Sequence, residues 1–265
     1  MSLQLLPSDF DDQVASAVRT FWMTRKGSSS SSQEGTRGAV ISGKNMDGFI
    51  DLVRSVARHC DLPADAILTR KRDVVLPGFY RPTKNWDVLV IHRGRLLAVW
   101  EFKSQVGPSF GNNFNNRSEE AIGAAADLWA AEKEGAYNRE EPRASMFAAE
   151  PRSNLYNLAK PSGDPRPPFV AWLMLLEDCR GSTSPVQVKE PNFAVSPEFK
   201  GASYAGRYRL LCERLMRNRL YDGAALMLSD AANGAKSGQF RSLSEATTVA
   251  ALFREFAAKV VAAGS

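Results

Sequence analysis

Trp86-Asp87-Val88-Leu89-Val90-Ile91 and Leu96-Leu97-Ala98-Val99-Trp100-Glu101-Phe102-Lys103, joined by His92-Arg93-Gly94-Arg95, decide the architecture. Each run is dense in β-branched and aromatic residues, and the glycine-centred link between them is turn-like, so the segment reads as a β-hairpin. Both runs are apolar at successive positions rather than at alternate ones. A strand of that kind needs cover on both faces, which places the hairpin in the middle of a sheet layered by helices. Phe169-Val170-Ala171-Trp172-Leu173-Met174-Leu175-Leu176, ending at Glu177-Asp178, reads as another strand of the same buried type.

Working outward, residues 9–24 carry helical spacing with Ser8 as a plausible cap. Residues 45–59 form a second helix with Met46, Phe49, Ile50, Val53, Val56 and Ala57 as its apolar stripe. A short strand over 72–76 stops at Pro77-Gly78. A polar loop over 107–116 leads into a helix over 117–134, a basic helix covers about 203–220 and a weaker one 243–262. Strands alternating with helices predict an α/β (α+β) domain with one central mixed sheet flanked by helices. At 265 residues the chain fits a single domain over 1–265. Two interruptions stand out: a flexible Ser/Gly-rich loop about 27–38, and a Pro-rich insertion about 136–168 holding six of the fourteen prolines.

The composition is that of an ordinary globular chain, 44% hydrophobic and 24% charged, with no apolar run long enough to span a bilayer. The N-terminal residues lack the basic and apolar regions of a secretory signal, and Cys60, Cys179 and Cys212 are odd in number and widely spaced. A reducing cytoplasm is the expected compartment. With His59 and His92 as the only histidines, no zinc cluster can be assembled. Any metal should be a hard cation held by carboxylates. The 34 basic residues against 29 acidic ones leave +5, which permits a polyanionic partner.

Within the hairpin, strand alternation puts Glu101 and Lys103 on one face, and Trp100 and Phe102 on the other. If Arg93-Gly94-Arg95 is a three-residue turn, His92 pairs with Leu96 and Asp87 falls opposite Glu101, about 5 Å away. A two-residue turn would shift the register by one and separate the two carboxylates, unless the strand is irregular. Two facing carboxylates repel unless a cation sits between them or one is protonated. With Lys103 beside them, the trio suits metal-assisted phosphodiester hydrolysis. Glu-x-Lys by itself is weak: Glu198-Phe199-Lys200 repeats it between Pro197 and Gly201, in what reads as a loop. Without further context, surface salt bridges at strand ends explain Asp87, Glu101 and Lys103 equally well.

The surroundings are far more specific. Asp, hairpin, then Glu-x-Lys is the pattern of the PD-(D/E)xK nuclease superfamily. Leu76-Pro77-Gly78-Phe79-Tyr80-Arg81-Pro82-Thr83-Lys84, Trp86-Asp87-Val88-Leu89-Val90 and Lys103-Ser104-Gln105-Val106-Gly107-Pro108-Ser109-Phe110-Gly111-Asn112-Asn113-Phe114-Asn115-Asn116-Arg117 closely resemble the XhoI-type type II restriction endonucleases. Asn45-Met46-Asp47-Gly48-Phe49 and Phe199-Lys200-Gly201-Ala202-Ser203-Tyr204, with Arg207-Tyr208, are similar to that family too. The similarity covers roughly 36–135 and 169–220. Trp86 stands where the superfamily name has proline.

The resemblance implies a restriction-endonuclease-like core and a Mg2+-dependent homodimer that cuts both strands of double-stranded DNA at the palindrome CTCGAG, after the first C, leaving 5′ overhangs. It implies a bacterial cytoplasmic enzyme paired with a cognate DNA methyltransferase. It places Asp87 and Glu101 as metal ligands and Lys103 as the catalytic lysine. Nothing functional is carried onto 136–168 or 223–265.

For DNA contacts, asparagine suits adenine edges and arginine guanine edges, which singles out Asn112, Asn113, Asn115, Asn116 and Arg117. The plain alternative is a polar turn with Asn116 as helix cap. Phe110 and Phe114 would anchor that segment. Tyr80, Arg81 and Lys84 precede Asp87 and suit phosphate contacts. The 200–220 segment sets Lys200, Arg207, Arg209, Arg214, Arg217 and Arg219 against Glu213 alone, a local excess equal to the whole chain's +5. Tyr204 and Tyr208, four apart, could join Lys200 and Arg207 on a DNA-facing surface; a solvated helix face is the bland reading. Two rival functions are a structure-selective repair or recombination nuclease on the same core and a non-catalytic DNA-binding protein.

Overall fold

A computed structural model describes residues 4–29, 45–137, 167–190 and 192–264. Its centre is a five-stranded mixed sheet in the order β1-β4-β5-β6-β7, made of β1 (Ile67–Leu68), β4 (Val88–His92), β5 (Arg95–Gln105), β6 (Phe169–Glu177) and β7 (Gly223–Ser229). The pairs β1/β4 and β4/β5 are antiparallel, whereas β5/β6 and β6/β7 are parallel. A separate two-stranded hairpin pairs β2 (Val75–Pro77) with β3 (Thr83–Asn85).

Alternation along β5 divides the core in two. Ala98, Trp100 and Phe102 face α1 (Phe10–Ser29), α2 (Asp47–His59) and α7 (Val249–Gly264). Trp100 lies 4.8 and 5.1 Å, ring to ring, from Phe253 and Phe256 of α7. On the opposite face, Leu96, Val99, Trp172 and Met174 pack against α3 (Phe110–Lys133), α5 (Tyr204–Arg217) and residues of the β2–β3 hairpin. Two short helices, α4 (Arg180–Thr183) and α6 (Ala231–Ser237), complete the described elements with three single 3-10 turns. Helix α1 forms because Phe10, Val14, Ala17, Val18, Phe21 and Trp22 share one buried stripe.

The architecture agrees with the α/β expectation of a mixed sheet between helices, and it moves several boundaries. Helix α1 continues through Gly27 to Ser29, so the expected loop starts later, and residues 30–38 lie outside the described set. Residues 138–166 of the Pro-rich insertion lie outside it as well. The strand expected at 72–76 is Val75–Pro77, with turns before it. Strand β7, absent from the sequence reading, is buried along its whole length. The 107–116 loop is largely helix: α3 begins at Phe110 behind Ser109, not at 117, so Asn116 lies inside α3 rather than at its cap. Asparagine is a poor helix former, but Phe110 and Phe114 stand one turn apart and pack on Tyr204, and Phe114 also packs on Tyr208. Tertiary packing overrides local propensity here. Glu198-Phe199-Lys200 sits at a 3-10 turn over Pro197–Phe199, away from any strand.

Candidate active site

The hairpin turn has two residues, not three. Arg93 and Gly94 both take positive φ (50° and 78°), and His92 pairs with Arg95. This is the primed turn geometry whose twist matches that of the strands. Alone it would carry Asp87 and Glu101 to opposite faces. The register then shifts: Ile91 pairs with Leu96 but Val90 pairs with Ala98, leaving Leu97 as a β-bulge without a partner. Val88 faces Trp100, and the same register carried one step past the strand end sets Asp87 opposite Glu101, with the Asp87 amide donating to the Trp100 carbonyl at 3.1 Å. The bulge restores what the short turn would have undone.

At this strand end Asp87 Oδ2 accepts a 2.6 Å hydrogen bond from the Phe102 amide. Burial, and then the charge of Glu101, push the Asp87 carboxyl up to about 6, against the Phe102 amide and the charges of Lys103 and Lys84. Glu101 is 5% exposed. Its Oε1 is held by Lys103 Nζ and its Oε2 by Lys84 Nζ at 2.9 Å. Lys84 reaches in from β3, with its ammonium 4.3 Å from the centre of the Trp86 ring. Glu120 of α3 extends the alternation of charge, 3.9 Å from Lys103 and 2.5 Å from Arg117.

Among the described residues no group of three or more acidic, histidine or cysteine side chains converges on a metal position. What converges is the buried carboxylate of Glu101 and the partly buried one of Asp87, raised first by burial and then by Glu101, with two ammonium groups alongside. An all-oxygen donor set of this charge fits a hard divalent cation, and Asp87 and Glu101 would hold it.

The remaining expected residues divide. Asn112, Asn115 and Asn116 are exposed along α3 and Asn113 is half-buried, so the amide run forms a helix surface rather than a loop. Arg117 pairs with Glu120. Arg81 gives its Nε to Asp127 Oδ2 at 2.8 Å, and Asp127 Oδ1 accepts the amides of Phe79 (2.9 Å) and Tyr80 (2.7 Å). Lys200 pairs with Glu190 (3.2 Å), Arg209 with Glu213 (2.9 Å), and Arg214 with Glu198. Arg207 donates to the Val186 carbonyl and lies over the Tyr204 ring. Part of the basic stretch is therefore laced to nearby carboxylates, while Arg217 and Arg219 are exposed.

Tyr208 corrects an expectation. It is fully buried, and its hydroxyl donates to Gln105 Oε1 at 2.5 Å, so it packs the core and does not face DNA. Tyr208→Phe should lower the melting temperature by about 2–5 °C, one buried hydrogen bond being worth roughly 1 kcal/mol. A large loss of DNA affinity in a binding titration, with folding unchanged, would contradict this assignment.

Glu120 and Asp127 were missed by sequence reading. Glu120 follows Arg117 by three residues on one helix, a spacing that could have flagged it. Asp127 carried no local signal, because its partners are 46 to 48 residues away.

Comparison with known proteins places these residues in context. The family model described as restriction endonuclease XhoI matches residues 25–148 and 158–242, a broader span than the motifs alone covered. The type II restriction enzyme XhoI of Xanthomonas vasicola is 41% identical over 221 residues, covering 82% of this chain and 78% of that one. The type II restriction enzyme BstVI of Geobacillus stearothermophilus is 42% identical over 205 residues, 76% and 80% of the two chains. The type II restriction enzyme AbrI of Azospirillum brasilense is 41% identical over 203 residues, 74% and 78%. No solved structure gives a significant match.

Proposed function

The chain belongs to the XhoI restriction endonuclease family, and on that premise we propose that it is a type II restriction endonuclease acting on double-stranded DNA with a divalent metal. Specifically, a homodimer of single-domain subunits, working in the bacterial cytoplasm, hydrolyses CTCGAG after the first C on both strands and leaves 5′ overhangs. Mg2+ is the cofactor, and a cognate DNA methyltransferase protects host sites. The observation that carries this reading is the Asp87–Glu101 pair with Lys103 beside it, assembled by the bulge at Leu97.

Asp87 and Glu101 would hold the cation by charge and oxygen donors. Such a cation would lower the pKa of a water there and offset charge gathering on the phosphate. Lys103, on the same face as Glu101, orients the attacking water and offers a proton donor to the phosphate oxygens. Lys84, 15% exposed at its side chain, meets the phosphate from the β3 side. A palindrome matches a two-fold dimer, with one hairpin site cutting each strand.

A plasmid bearing one CTCGAG site should be linearised with Mg2+ and stay intact when the site is methylated or absent. Cleavage at branched structures irrespective of sequence would favour a repair nuclease instead, and binding without cleavage would favour a DNA-binding protein.

A second expectation follows from the carboxyl of Asp87. A raised carboxyl favours the folded state fully below its ordinary value of 3.8, and that contribution is lost as pH climbs through about 6. From this group alone the metal-free protein loses on the order of 2–3 kcal/mol by neutral pH. Asp87→Asn, whose amide oxygen can still accept the Phe102 N–H, should therefore be more stable than the parent at pH 8 and lose most of that advantage only by about pH 4. Chemical denaturation at both pH values without metal checks it; an advantage independent of pH would contradict the raised carboxyl.

A further inference from the structure

The β2–β3 hairpin carries features that the cleavage chemistry does not use. Its tip, between the paired residues Pro77 and Thr83, presents Phe79 and Tyr80 to solvent, 49% and 76% exposed. Large exposed aromatics are usually mobile, yet these two are locked. Their rings meet edge to face at 4.8 Å, and both backbone amides are bound by the buried carboxylate of Asp127. Gly78 completes the lock, since a Cβ there would come within 2.5 Å of Asp127 Oδ2 and 2.6 Å of the Arg81 carbonyl oxygen. A rigid, solvent-facing aromatic pair points to a contact made with something else.

The location indicates what that is. Lys84, on the returning strand, reaches the carboxylate pair at Glu101. Near the other end of the hairpin, Asn85 Nδ2 holds the Lys71 carbonyl, so the exposed Arg70-Lys71-Arg72 turn adjoins its base. Cations lie beside the base, a lysine reaches the cleavage site and aromatics stand at the tip, all on one hairpin clasped to α3 through Asp127. That sequence of chemistries matches a phosphate backbone running beside a base step.

We infer that the β2–β3 hairpin is a DNA-docking element whose Phe79–Tyr80 tip packs against a base step next to the scissile phosphate. The inference rests on the endonuclease reading. The basic turn supplies salt-sensitive attraction to phosphates, and the aromatic tip seats or partly unstacks the bases, as apolar wedges do.

The test uses the full chain, a CTCGAG duplex and Ca2+ in place of Mg2+. The double variant Phe79→Ala/Tyr80→Ala should bind about tenfold more weakly or worse, aromatic–base contacts being worth roughly 5- to 150-fold each. A 2-aminopurine beside the cleavage position should brighten with the parent protein and not with the variant. Tyr80→Ala alone, at a position three-quarters exposed, should show the same direction with an unchanged melting temperature. Binding and fluorescence within twofold of the parent would overturn the inference. So would a shift from dimer to monomer in sedimentation, which would make the tip a protein contact. If the parent itself neither binds the duplex with Ca2+ nor cuts it with Mg2+, the endonuclease reading falls and takes this one with it. If the parent cuts and the double variant binds and cuts equally well, the tip alone is wrong.

Discussion

Glu101→Gln is expected to reduce the single-turnover rate of cleavage at CTCGAG by about 10³-fold or more, while Ca2+-supported DNA binding stays within a few-fold. Glutamine keeps the shape and an acceptor for Lys103, so the buried site should still fold. What it loses is charge, and charge organises this strand end. Glu101 is the shared partner of Lys84 and Lys103, and its negative field is the second cause, after burial, of the raised Asp87 carboxyl. Neutralising it leaves one anionic ligand where the chemistry needs two, and removes the counter-charge that aims Lys103. Loss of one preorganised electrostatic partner typically costs about 10²–10³ in rate, and here two effects coincide. Binding should survive, because removing a carboxylate facing a phosphate relieves repulsion. Rapid-quench measurements with enzyme in excess give the rate, and calorimetric titration with Mg2+ should show weakened metal affinity. A rate within tenfold of the parent would mean that Glu101 does not carry the chemistry.

The pairing of Asp87 with Glu101 was legible only conditionally. The residues displayed an apolar hairpin and its charged ends, but Leu97 looks the same whether it is paired or bulged. An extra apolar residue between two buried faces leaves no mark in the hydrophobic pattern. The expected three-residue turn and the observed two-residue turn plus bulge place Asp87 opposite Glu101 alike. The start of α3 was hidden differently: four asparagines and a glycine argue for a loop, and the overriding term, Phe110 and Phe114 packing on Tyr204, is tertiary. Local charge over 200–220 overstates the basic excess, because Glu190 and Glu198, which neutralise part of it, lie just ahead of it in the chain. Tyr208 carries the same lesson, since a tyrosine four residues from another reads as a surface stripe until Trp172 and Gln105 are seen to enclose it.

Asp127→Ala should cost about 2–3 kcal/mol of stability, lowering the melting temperature by roughly 5–10 °C, and should also slow cleavage. Burial works to raise this carboxyl, but the hydrogen bonds from Arg81, Tyr80 and Phe79 outweigh it and hold it below its ordinary value. A depressed carboxyl stabilises the fold above its unfolded-state value and gives that stability up only as pH falls through its folded one, so the loss in Asp127→Ala should be full at neutral pH. The cost is smaller than for breaking a fully buried pair because Arg81 is 44% exposed and can be rehydrated. Cleavage suffers because Lys84 stands on the strand that leaves this loop, and small displacements of positioning groups cost disproportionate rate. Gly78→Ala attacks the same contact from the other side, since its Cβ would press on both Asp127 Oδ2 and the Arg81 carbonyl. If the clasp is one unit, the two lesions are not independent. The double variant should lose less than the sum of the singles, because shortening Asp127 removes one of the two clashes that Gly78→Ala creates. Additive losses in denaturant titrations would show that Asp127 and Gly78 serve separate ends, and that the rigid loop does not set the position of Lys84.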